Sequence, residues 1–425
     1  MIRHSIHAAI LIVLSCLGGC GRPSLVADTV GLSEQKLAAL DARVQHHIDS
    51  GQIAGAVVLL MRDGNLAHLK SYGHRDREAD VSMTDDTIFR IASMTKPIVS
   101  AAVMMLHEQG KLRLDDPVQK FIPSFADAKV LTDAGQLVPA KRPVTVHDLL
   151  THTAGVAYGF SAPGQLGEHY RTASISSGLV QTPGTIAEAA ERLGKLPLAH
   201  QPGEKWTYGL SIDVLGRVVE VASGRPLDVY LQQQIFKPLK MRDTHFFLPE
   251  SKLSRLAALY QPGEGGKIVR TPPGPQQAGN LRYSGDYHHE GPRTYFSGGA
   301  GLVSTAHDYA RFLQMMLNGG ELDGVRLLKP ATVELMTRDH IAPLAVPFAG
   351  HGDGFGYGFG VVTPRGDAAD PAPAGTYSWG GIFHTYFWVD PQNELVAILM
   401  TQLYPFNQSK LRAEFKQLVY EALEP

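Results

Sequence analysis

The stretch FRIASMTKPIVSAAVMM, which runs from Phe89 to Met105, places a serine three residues before a lysine at the start of an apolar segment. Residues 98 to 106 are apolar on nearly every side of a helix, so they predict a buried helix. Residues three apart share a helix face, which brings the amine of Lys96 within reach of the Ser93 hydroxyl. Burial and the positive end of the helix dipole both disfavour a charged amine there. We therefore expect Lys96 to accept the proton of Ser93, and the N–H groups of the helix start to stabilise an oxyanion.

A second interpretation of this pair stays open, namely a helix-capping serine beside a lysine whose stem lies along apolar surface. Short motifs also arise by chance, and the chain has another Ser-x-x-Lys at Ser33–Lys36. The helix predicted to begin there is amphipathic, with apolar residues at 37, 40, 44 and 48. Because Lys36 can point into water and capping accounts for Ser33, we expect Ser93 to be the nucleophile.

Tyr208 lies in PGEKWTYGLSIDVLGRVVE, between a Pro-Gly turn and a predicted apolar helix. A phenol beside a lysine can relay protons, because the cation stabilises the phenolate. Taken alone, a buried tyrosine is most often a packed aromatic ring. Tyr208 is therefore a candidate base only in the company of Ser93 and Lys96.

Gly380 and Gly381 open the strand predicted in SWGGIFHTYFWVD, whose other residues are mostly bulky. Glycines there let a substrate lie against the strand backbone, and the N–H that follows them offers a second donor to an oxyanion. A β-bulge is the alternative interpretation.

The whole chain has 425 residues, is 44% hydrophobic and carries a net charge of −2. This length and composition suffice for a large core. No basic field indicates nucleic acid, so we expect no nucleic-acid partner.

The first 20 residues differ from the rest. A basic start precedes an apolar run at 8–14, which is typical of a secretory signal and shorter than the ~20 residues that span a bilayer. The sequence LGGC at 17–20 resembles the bacterial lipobox, which predicts a signal peptide over 1–19 and a periplasmic protein held to the membrane only through a lipid on Cys20. An ordinary signal with an incidental Cys20 is the alternative. Cys16 and Cys20 are the only cysteines, so a cut before Cys20 leaves no intramolecular disulfide.

Strands are predicted at both ends of the chain and helices between them. A hairpin signal at Asp63-Gly64 and a turn at 391–393 each join two strands, a helix is predicted at 306–317, and a last helix covers about 409–423. GFGYGFGVV at 354–362 predicts one strand with small residues on one face. The Pro- and Gly-rich stretch at 261–293 predicts a long loop.

This pattern predicts an α+β fold with one antiparallel sheet flanked by helices. The sheet would be formed by 32–110 and 295–425, with a mainly helical region inserted at 111–294. A functional site would lie in the cleft between the sheet and the insertion, since pockets favour such junctions.

Other motifs lack the spacing that their chemistry needs. The sequence at 159–163 ends in proline where the nucleophile elbow of α/β-hydrolases needs glycine. His147 and His152 are five residues apart and share a helix face poorly, whereas His288-His289 and Glu290 lack metal-ligand spacing. We expect no metal and no cofactor.

The three motifs around residues 93, 208 and 380 together resemble serine hydrolases related to class C β-lactamases and penicillin-binding proteins, and are most similar to the family VIII carboxylesterases. The similarity runs from about residue 32 to 425. It includes three further stretches: TVHDLLTHTAG at 145–155, GGAGLVSTAHDYARF at 298–312 and FWVDPQNEL at 387–395. The resemblance implies a β-lactamase-like fold, with Ser93 as the acylated nucleophile, Lys96 as its proton acceptor and Tyr208 as a second general base.

The resemblance also implies a binding segment at Trp379, Gly380 and Gly381, which fills the position of Lys-Thr-Gly in the lactamases. Trp-Gly-Gly is the pattern of the family VIII esterases. The oxyanion hole would then use the backbone N–H groups of Ser93 and Ile382.

Two departures from the lactamase pattern bear on the substrate. Leu210 stands where the family's Tyr-x-Asn motif has asparagine, so the amide that grips an acylamino side chain is missing. Trp379 stands in place of the lysine that pairs with a substrate carboxylate. The loss of a charged hydrogen bond of ~1.5–3 kcal/mol argues for neutral esters over penicillins or D-amino-acid peptides.

We therefore expect a serine carboxylesterase that hydrolyses small neutral esters, or transfers their acyl group, through an acyl-enzyme on Ser93. The alternatives are a β-lactamase or D-amino-acid peptidase, and a penicillin-binding-like envelope protein that has lost turnover. The partner is a small-molecule ester in the first case, and the sequence leaves the oligomeric state open.

Overall fold

The computed structural model describes residues 30–348, 350–366, 370–406 and 409–424. The signal peptide predicted over 1–19 lies outside the described residues, as do Cys16 and the lipidation site predicted at Cys20.

Ten α-helices lie in the described part of the chain: α1 Glu34–Asp49, α2 Thr95–Glu108, α3 Val146–Leu150, α4 Gly164–Thr172, α5 Ile186–Leu193, α6 Ser211–Ser223, α7 Leu227–Leu231, α8 Ala306–Leu317, α9 Pro330–Thr337 and α10 Leu411–Ala422. None of these described helices combines the length and apolar character needed to cross a bilayer.

The strands of the described chain are β1 Gly55–Arg62, β2 Asn65–Asp76, β3 Val81–Ser82, β4 Phe89–Arg90, β5 Lys129–Leu131, β6 Leu137–Pro139, β7 Tyr260–Pro262, β8 Ile268–Arg270, β9 Pro275–Ala278, β10 Leu281–Ser284, β11 Val303–Ser304, β12 Glu321–Leu322, β13 Val325–Arg326, β14 Gly354–Phe355, β15 Gly360–Val361, β16 Tyr377–Gly380, β17 Tyr386–Asp390 and β18 Leu395–Met400.

Eight of these strands form one antiparallel sheet in the order β14-β15-β16-β17-β18-β1-β2-β3. The last strand of the chain, β18, pairs with the first, β1, so that Val57 lies opposite Met400. This pairing confirms the predicted sheet, which is completed by segments from both ends of the chain. The hairpin at Asp63-Gly64 and the helix at 306–317 are also confirmed.

The two faces of β1 pack into two different cores, because successive side chains of a strand point to opposite sides. Val57 and Leu59 face the core that contains helix α2, whereas Val58 and Leu60 face the core that contains α1 and α10. Helix α2 is buried at every position from Thr95 to Leu106, as its composition predicts. The sheet is thus covered by helices on both faces.

Four details differ from the sequence prediction. Ser33 precedes α1 but its side chain makes no capping hydrogen bond; its backbone N–H instead donates to the carbonyl of Ala422 at 3.0 Å. The stretch 261–293 is not one long loop, since it holds most of the hairpin β7–β8 and all of β9–β10. The segment 354–362 forms two short strands rather than one. Gly380 ends β16 instead of opening a strand, and Gly381 lies in the turn before β17.

The reversal between β14 and β15 depends on Gly358, which has a φ of +87°. A Cβ at Gly358 would lie 2.5 Å from Ser100 Oγ and 3.3 Å from the carbonyl oxygen of Lys96, both on α2. The turn therefore packs directly on the helix that carries the candidate base, and only glycine leaves room for this contact.

Gly358→Ala is expected to destabilise the protein by about 2–5 kcal/mol, from the left-handed backbone and from the clash with α2. The matched control is Gly324→Ala, since Gly324 also has a positive φ (+75°) but no atom within 4 Å of the added Cβ. The control is expected to lose only the backbone contribution of about 1–2 kcal/mol. Guanidinium unfolding measures both, and equal losses would contradict the packing argument.

Candidate active site

Ser93 lies in a single 3₁₀ turn, Ala92–Met94, directly before α2. Ala92 has a φ of +42°, in the region that residues with a Cβ rarely adopt. Two contacts hold this turn: the Tyr309 hydroxyl donates to the carbonyl of Met94 at 2.8 Å, and Thr95 Oγ1 accepts from the N–H of Leu302 at 3.1 Å. The turn therefore presents the Ser93 side chain in a fixed direction while leaving it partly exposed.

Lys96 has no exposed surface, and its amine is surrounded by oxygen atoms. Its Nζ lies 3.2 Å from Ser93 Oγ, 3.0 Å from the Tyr158 hydroxyl and 2.8 Å from the carbonyl oxygen of Gly299. The predicted proximity of Ser93 and Lys96 is therefore present. The helix spacing provides it, because Ser93 precedes Lys96 by three residues.

Tyr208 lies against the same amine, but through its ring. Lys96 Nζ is 4.6 Å from the centroid of the Tyr208 ring, a cation–π distance. The Tyr208 hydroxyl accepts a hydrogen bond from Trp379 Nε1 at 3.2 Å. Within the described residues, no hydrogen bond joins Lys96 to the Tyr208 hydroxyl.

Tyr158 is the phenol that does contact Lys96 Nζ, and the sequence analysis did not identify it. It follows the THTAG segment by three residues, in a stretch without helical periodicity. Burial raises the pKa of Tyr158 well above its usual range, and the neighbouring Tyr208 and Asp213 raise it further. The Tyr158 phenol therefore keeps its proton at neutral pH and is both a donor and an acceptor at the amine.

A buried carboxyl, Asp213 on α6, holds the loop that supplies the Gly299 carbonyl. Ser297 Oγ donates to Asp213 Oδ1 at 2.6 Å and accepts from the N–H of Ala300 at 3.1 Å. Burial raises the pKa of Asp213, while the Ser297 hydrogen bond and the charge of Lys96 oppose that shift. Asp213 thus fixes one of the three oxygen partners of Lys96 without contacting Lys96 through a hydrogen bond.

The turn between β16 and β17 brings the second candidate oxyanion donor to the same place. A Cβ on Gly381 would overlap the carbonyl oxygen of Ile91, so the two backbones are in direct contact next to Ser93. Arg412 Nη2 from α10 donates to the carbonyls of Gly381 at 2.6 Å and Thr385 at 2.8 Å, which holds the turn. Among the described residues, neither the Ser93 N–H nor the Ile382 N–H donates a hydrogen bond.

Trp379 and Leu210 place apolar groups at the two positions where the sequence departs from the lactamase pattern. Both side chains are buried, with exposed fractions of 3% and 1%. The indole of Trp379 packs against the rings of Tyr208 and Phe355, each at 5.3 Å between centroids. Trp379 therefore packs against Tyr208 from the sheet, and within this segment Gly380 is partly exposed whereas Gly381 is buried.

His152 lies beside this group, 4.9 Å from the Tyr208 ring, and is fully buried. Neither of its ring nitrogens has a hydrogen-bond partner among the described residues. Burial lowers the pKa of His152 well below its usual range, and the charge of Lys96 lowers it further. His152 is therefore neutral at pH 7. His147 hydrogen-bonds Tyr357 at 3.0 Å, and His288 hydrogen-bonds the carbonyl of Phe246 at 2.7 Å.

The lowered pKa of His152 predicts a loss of stability in acid. Below the unfolded-state pKa of about 6.5, the unfolded chain binds a proton at this histidine, whereas the folded chain does not. The free energy of unfolding therefore falls as the pH drops below about 6.5. His288 and His351, each with a pKa lowered by burial to about 3, act in the same direction. His152→Phe is expected to reduce the slope of the unfolding free energy between pH 6.5 and 5 by about 1.4 kcal/mol per pH unit. Urea unfolding at several pH values measures the slope; an unchanged slope would contradict the assignment.

Comparison with known proteins gives four informative similarities. The β-lactamase family profile matches residues 40–421. Protein Rv1367c of Mycobacterium tuberculosis is 36% identical over 378 residues, covering 86% of this chain and 89% of its own length. Esterase EstB of Burkholderia gladioli is 34% identical over 385 residues, covering 89% of this chain and 93% of its own. Among solved structures, EstCE1, described as a hydrolase with promiscuous acyltransferase activity, aligns with a TM-score of 0.79 and 29% identity, covering 91% of this chain and 99% of its own.

Proposed function

Since the chain belongs to the β-lactamase family, as a serine hydrolase that acts on esters, we propose that it cleaves its substrate through an acyl-enzyme on Ser93. Its fold is the β-lactamase-like α+β fold, and within the family it is similar to the family VIII carboxylesterases. One observation carries the proposal: the Lys96 amine, excluded from solvent, lies 3.2 Å from the Ser93 hydroxyl.

The first half of the reaction begins at these two atoms. The Lys96 amine accepts the proton of the Ser93 hydroxyl as the oxygen attacks the ester carbonyl. The carbonyl oxygen becomes an oxyanion and accepts hydrogen bonds from the N–H groups of Ser93 and Ile382. The intermediate collapses, the alkoxide takes a proton relayed through Tyr208, and the alcohol leaves an acyl-enzyme.

The second half reverses these proton transfers. Water, or a second alcohol, attacks the acyl carbonyl while its proton passes through Tyr208 to Lys96. The Ser93 oxygen then leaves with the returning proton. The same proton transfers serve hydrolysis when water attacks and acyl transfer when an alcohol attacks. EstCE1, which is described as a hydrolase with promiscuous acyltransferase activity, supports the proposal that both reactions occur.

The groups around the reacting atoms favour esters whose scissile end is neutral. Trp379 supplies no cation to a carboxylate beside the scissile bond, and Leu210 supplies no amide to an acylamino group. An uncompensated carboxylate loses a charged hydrogen bond of about 1.5–3 kcal/mol, or tenfold and more in binding. Nitrocefin turnover far below that of p-nitrophenyl butyrate is the expected result, and comparable rates would favour a β-lactamase instead.

A covalent probe tests the nucleophile directly. After reaction with a fluorophosphonate, the intact mass is expected to increase by one adduct, and peptide mapping is expected to place that adduct on Ser93. Pre-incubation with p-nitrophenyl butyrate should slow labelling, because substrate and probe compete for one hydroxyl. An adduct on another serine, such as Ser33, would refute the proposed mechanism.

A further inference from the structure

A cavity of about 700 Å³ opens beside the proposed catalytic groups. Tyr158, Phe160 and Leu210 form one part of its wall. The Tyr158 hydroxyl contacts the Lys96 amine, and the Phe160 ring stacks on Tyr158 at 4.8 Å. The wall of the cavity is therefore continuous with the surroundings of the proposed base.

The same wall reaches the nucleophile from the other side. Phe160 and Ile382 both pack against an apolar cluster that contains Ala92 and Leu281. Ala92 directly precedes Ser93, Ile382 is the proposed oxyanion residue, and Leu281 lines the cavity. A cavity of this volume is roughly 10 Å across, so one side of an ester bound at Ser93 has room to extend into it by about six to eight carbons.

Three arginines line this cavity, each from a different element: Arg171 from the last turn of α4, Arg192 from the last turn of α5 and Arg282 from β10. Arg171 Nη1 donates to the carbonyl of Gly159 at 2.9 Å. The guanidinium groups of Arg192 and Arg282 have no hydrogen bond or ion pair with any described residue. No aspartate or glutamate of the described chain lines the cavity.

This local excess of positive charge does not follow from the composition, since the whole chain carries a net charge of −2. Of the eighteen other arginines in the described chain, ten form ion pairs with carboxylates: Arg43, Arg77, Arg113, Arg142, Arg217, Arg255, Arg270, Arg311, Arg326 and Arg365. The cavity thus collects three guanidinium groups that lack such a partner.

We propose that the preferred substrates are esters that carry an anionic group, such as a carboxylate, several atoms away from the scissile bond. This inference rests on the proposed esterase function and narrows it. A guanidinium binds a carboxylate through two parallel N–H···O bonds, so the cavity selects an anion at its arginine-lined side. Neutral esters are still cleaved, because the groups around the scissile bond do not need the anion. Esters that carry the remote anion have a higher kcat/KM than neutral esters of the same length.

Paired substrates of equal length test the preference. On the acyl side, the mono-p-nitrophenyl ester of adipic acid is compared with p-nitrophenyl hexanoate, and that of suberic acid with p-nitrophenyl octanoate. On the alcohol side, 4-carboxyphenyl butyrate is compared with 4-carbamoylphenyl butyrate. The anionic member of at least one pair is expected to have a kcat/KM about fivefold or more higher at low salt, and the ratio is expected to fall toward one in 0.5 M NaCl through screening.

The triple variant Arg171→Gln, Arg192→Gln, Arg282→Gln is expected to bring that ratio close to one. The matched control is Arg225→Gln, which removes an exposed arginine that does not line the cavity and is expected to keep the wild-type ratio. A ratio near one in every pair of the wild type, or a ratio that the triple variant retains, would overturn the inference. The salt dependence of the wild type decides the question even if the triple variant does not fold. Absence of all ester turnover in the wild type would instead overturn the proposed function itself.

Discussion

Ser93→Ala is expected to lower kcat/KM for p-nitrophenyl butyrate by about 10⁴-fold or more, because loss of the nucleophile removes the acyl-enzyme route altogether. The methyl group fits where the Ser93 side chain stands, so the turn at Ala92–Met94 and the buried helix α2 should keep their structure. Release of p-nitrophenol measured at 405 nm gives the rate, and circular dichroism checks the fold.

The chain offers its own control for this experiment. Ser33 belongs to the other Ser-x-x-Lys motif, and its hydroxyl makes no capping hydrogen bond at α1. Ser33→Ala is therefore expected to keep at least half of the wild-type activity and to remain labelled by fluorophosphonate. A Ser93→Ala variant that retains a tenth of the activity would show that another group attacks the ester.

The difference between the two motifs lies in burial rather than in the motif itself. Lys96 has no exposed surface, whereas Lys36 lies on the solvent-exposed side of α1. Helical periodicity predicted this contrast. The helix that carries Lys96 is apolar on nearly every side, whereas the helix that carries Lys36 is apolar on one face only. The sequence therefore sufficed to predict which of the two identical patterns has the buried lysine.

Periodicity also predicted the parts of the fold that repeat regularly. The hairpin at Asp63-Gly64, helix α8 and the pair β17–β18 follow from turn residues and from apolar spacing. The reversal within 354–362 was missed, because alternating glycines suit a strand and a tight turn alike. Only the contact of Gly358 with Ser100 on α2 decides between them, and that contact joins segments more than 250 residues apart in the chain.

Two residues of the candidate site, Tyr158 and Asp213, were not predicted, because their contacts also join segments that are distant in the sequence. Tyr158 reaches Lys96 across 62 positions, and Asp213 reaches Ser297 across 84. Neither pair has a spacing that a helix or strand imposes, so no local pattern distinguishes these residues from packed ones. The resemblance to known esterases identified Tyr208, whereas the second phenol and the buried carboxyl needed the folded chain.

The two phenols around Lys96 predict different losses when their hydroxyls are removed. Tyr158→Phe deletes one of the three oxygen partners of the amine and leaves Ser93 and Gly299 in place. A hydrogen bond to a charged group contributes about 1.5–3 kcal/mol, so kcat is expected to fall about 10- to 100-fold. Tyr208→Phe removes the proposed relay to the leaving alcohol and is expected to lower kcat by about 10²- to 10⁴-fold.

A double-mutant cycle separates the relay from packing. Trp379 Nε1 donates to the Tyr208 hydroxyl, so Trp379→Phe is expected to lower kcat in the wild type and to have little further effect in Tyr208→Phe. Additive losses would mean that the indole acts through packing alone. If Tyr158→Phe loses more activity than Tyr208→Phe, the relay passes through the phenol that is hydrogen-bonded to Lys96, and the role proposed for Tyr208 is wrong. Measuring kcat with both p-nitrophenyl butyrate and ethyl butyrate sharpens the comparison, because an alkoxide needs the relayed proton whereas p-nitrophenolate leaves without it.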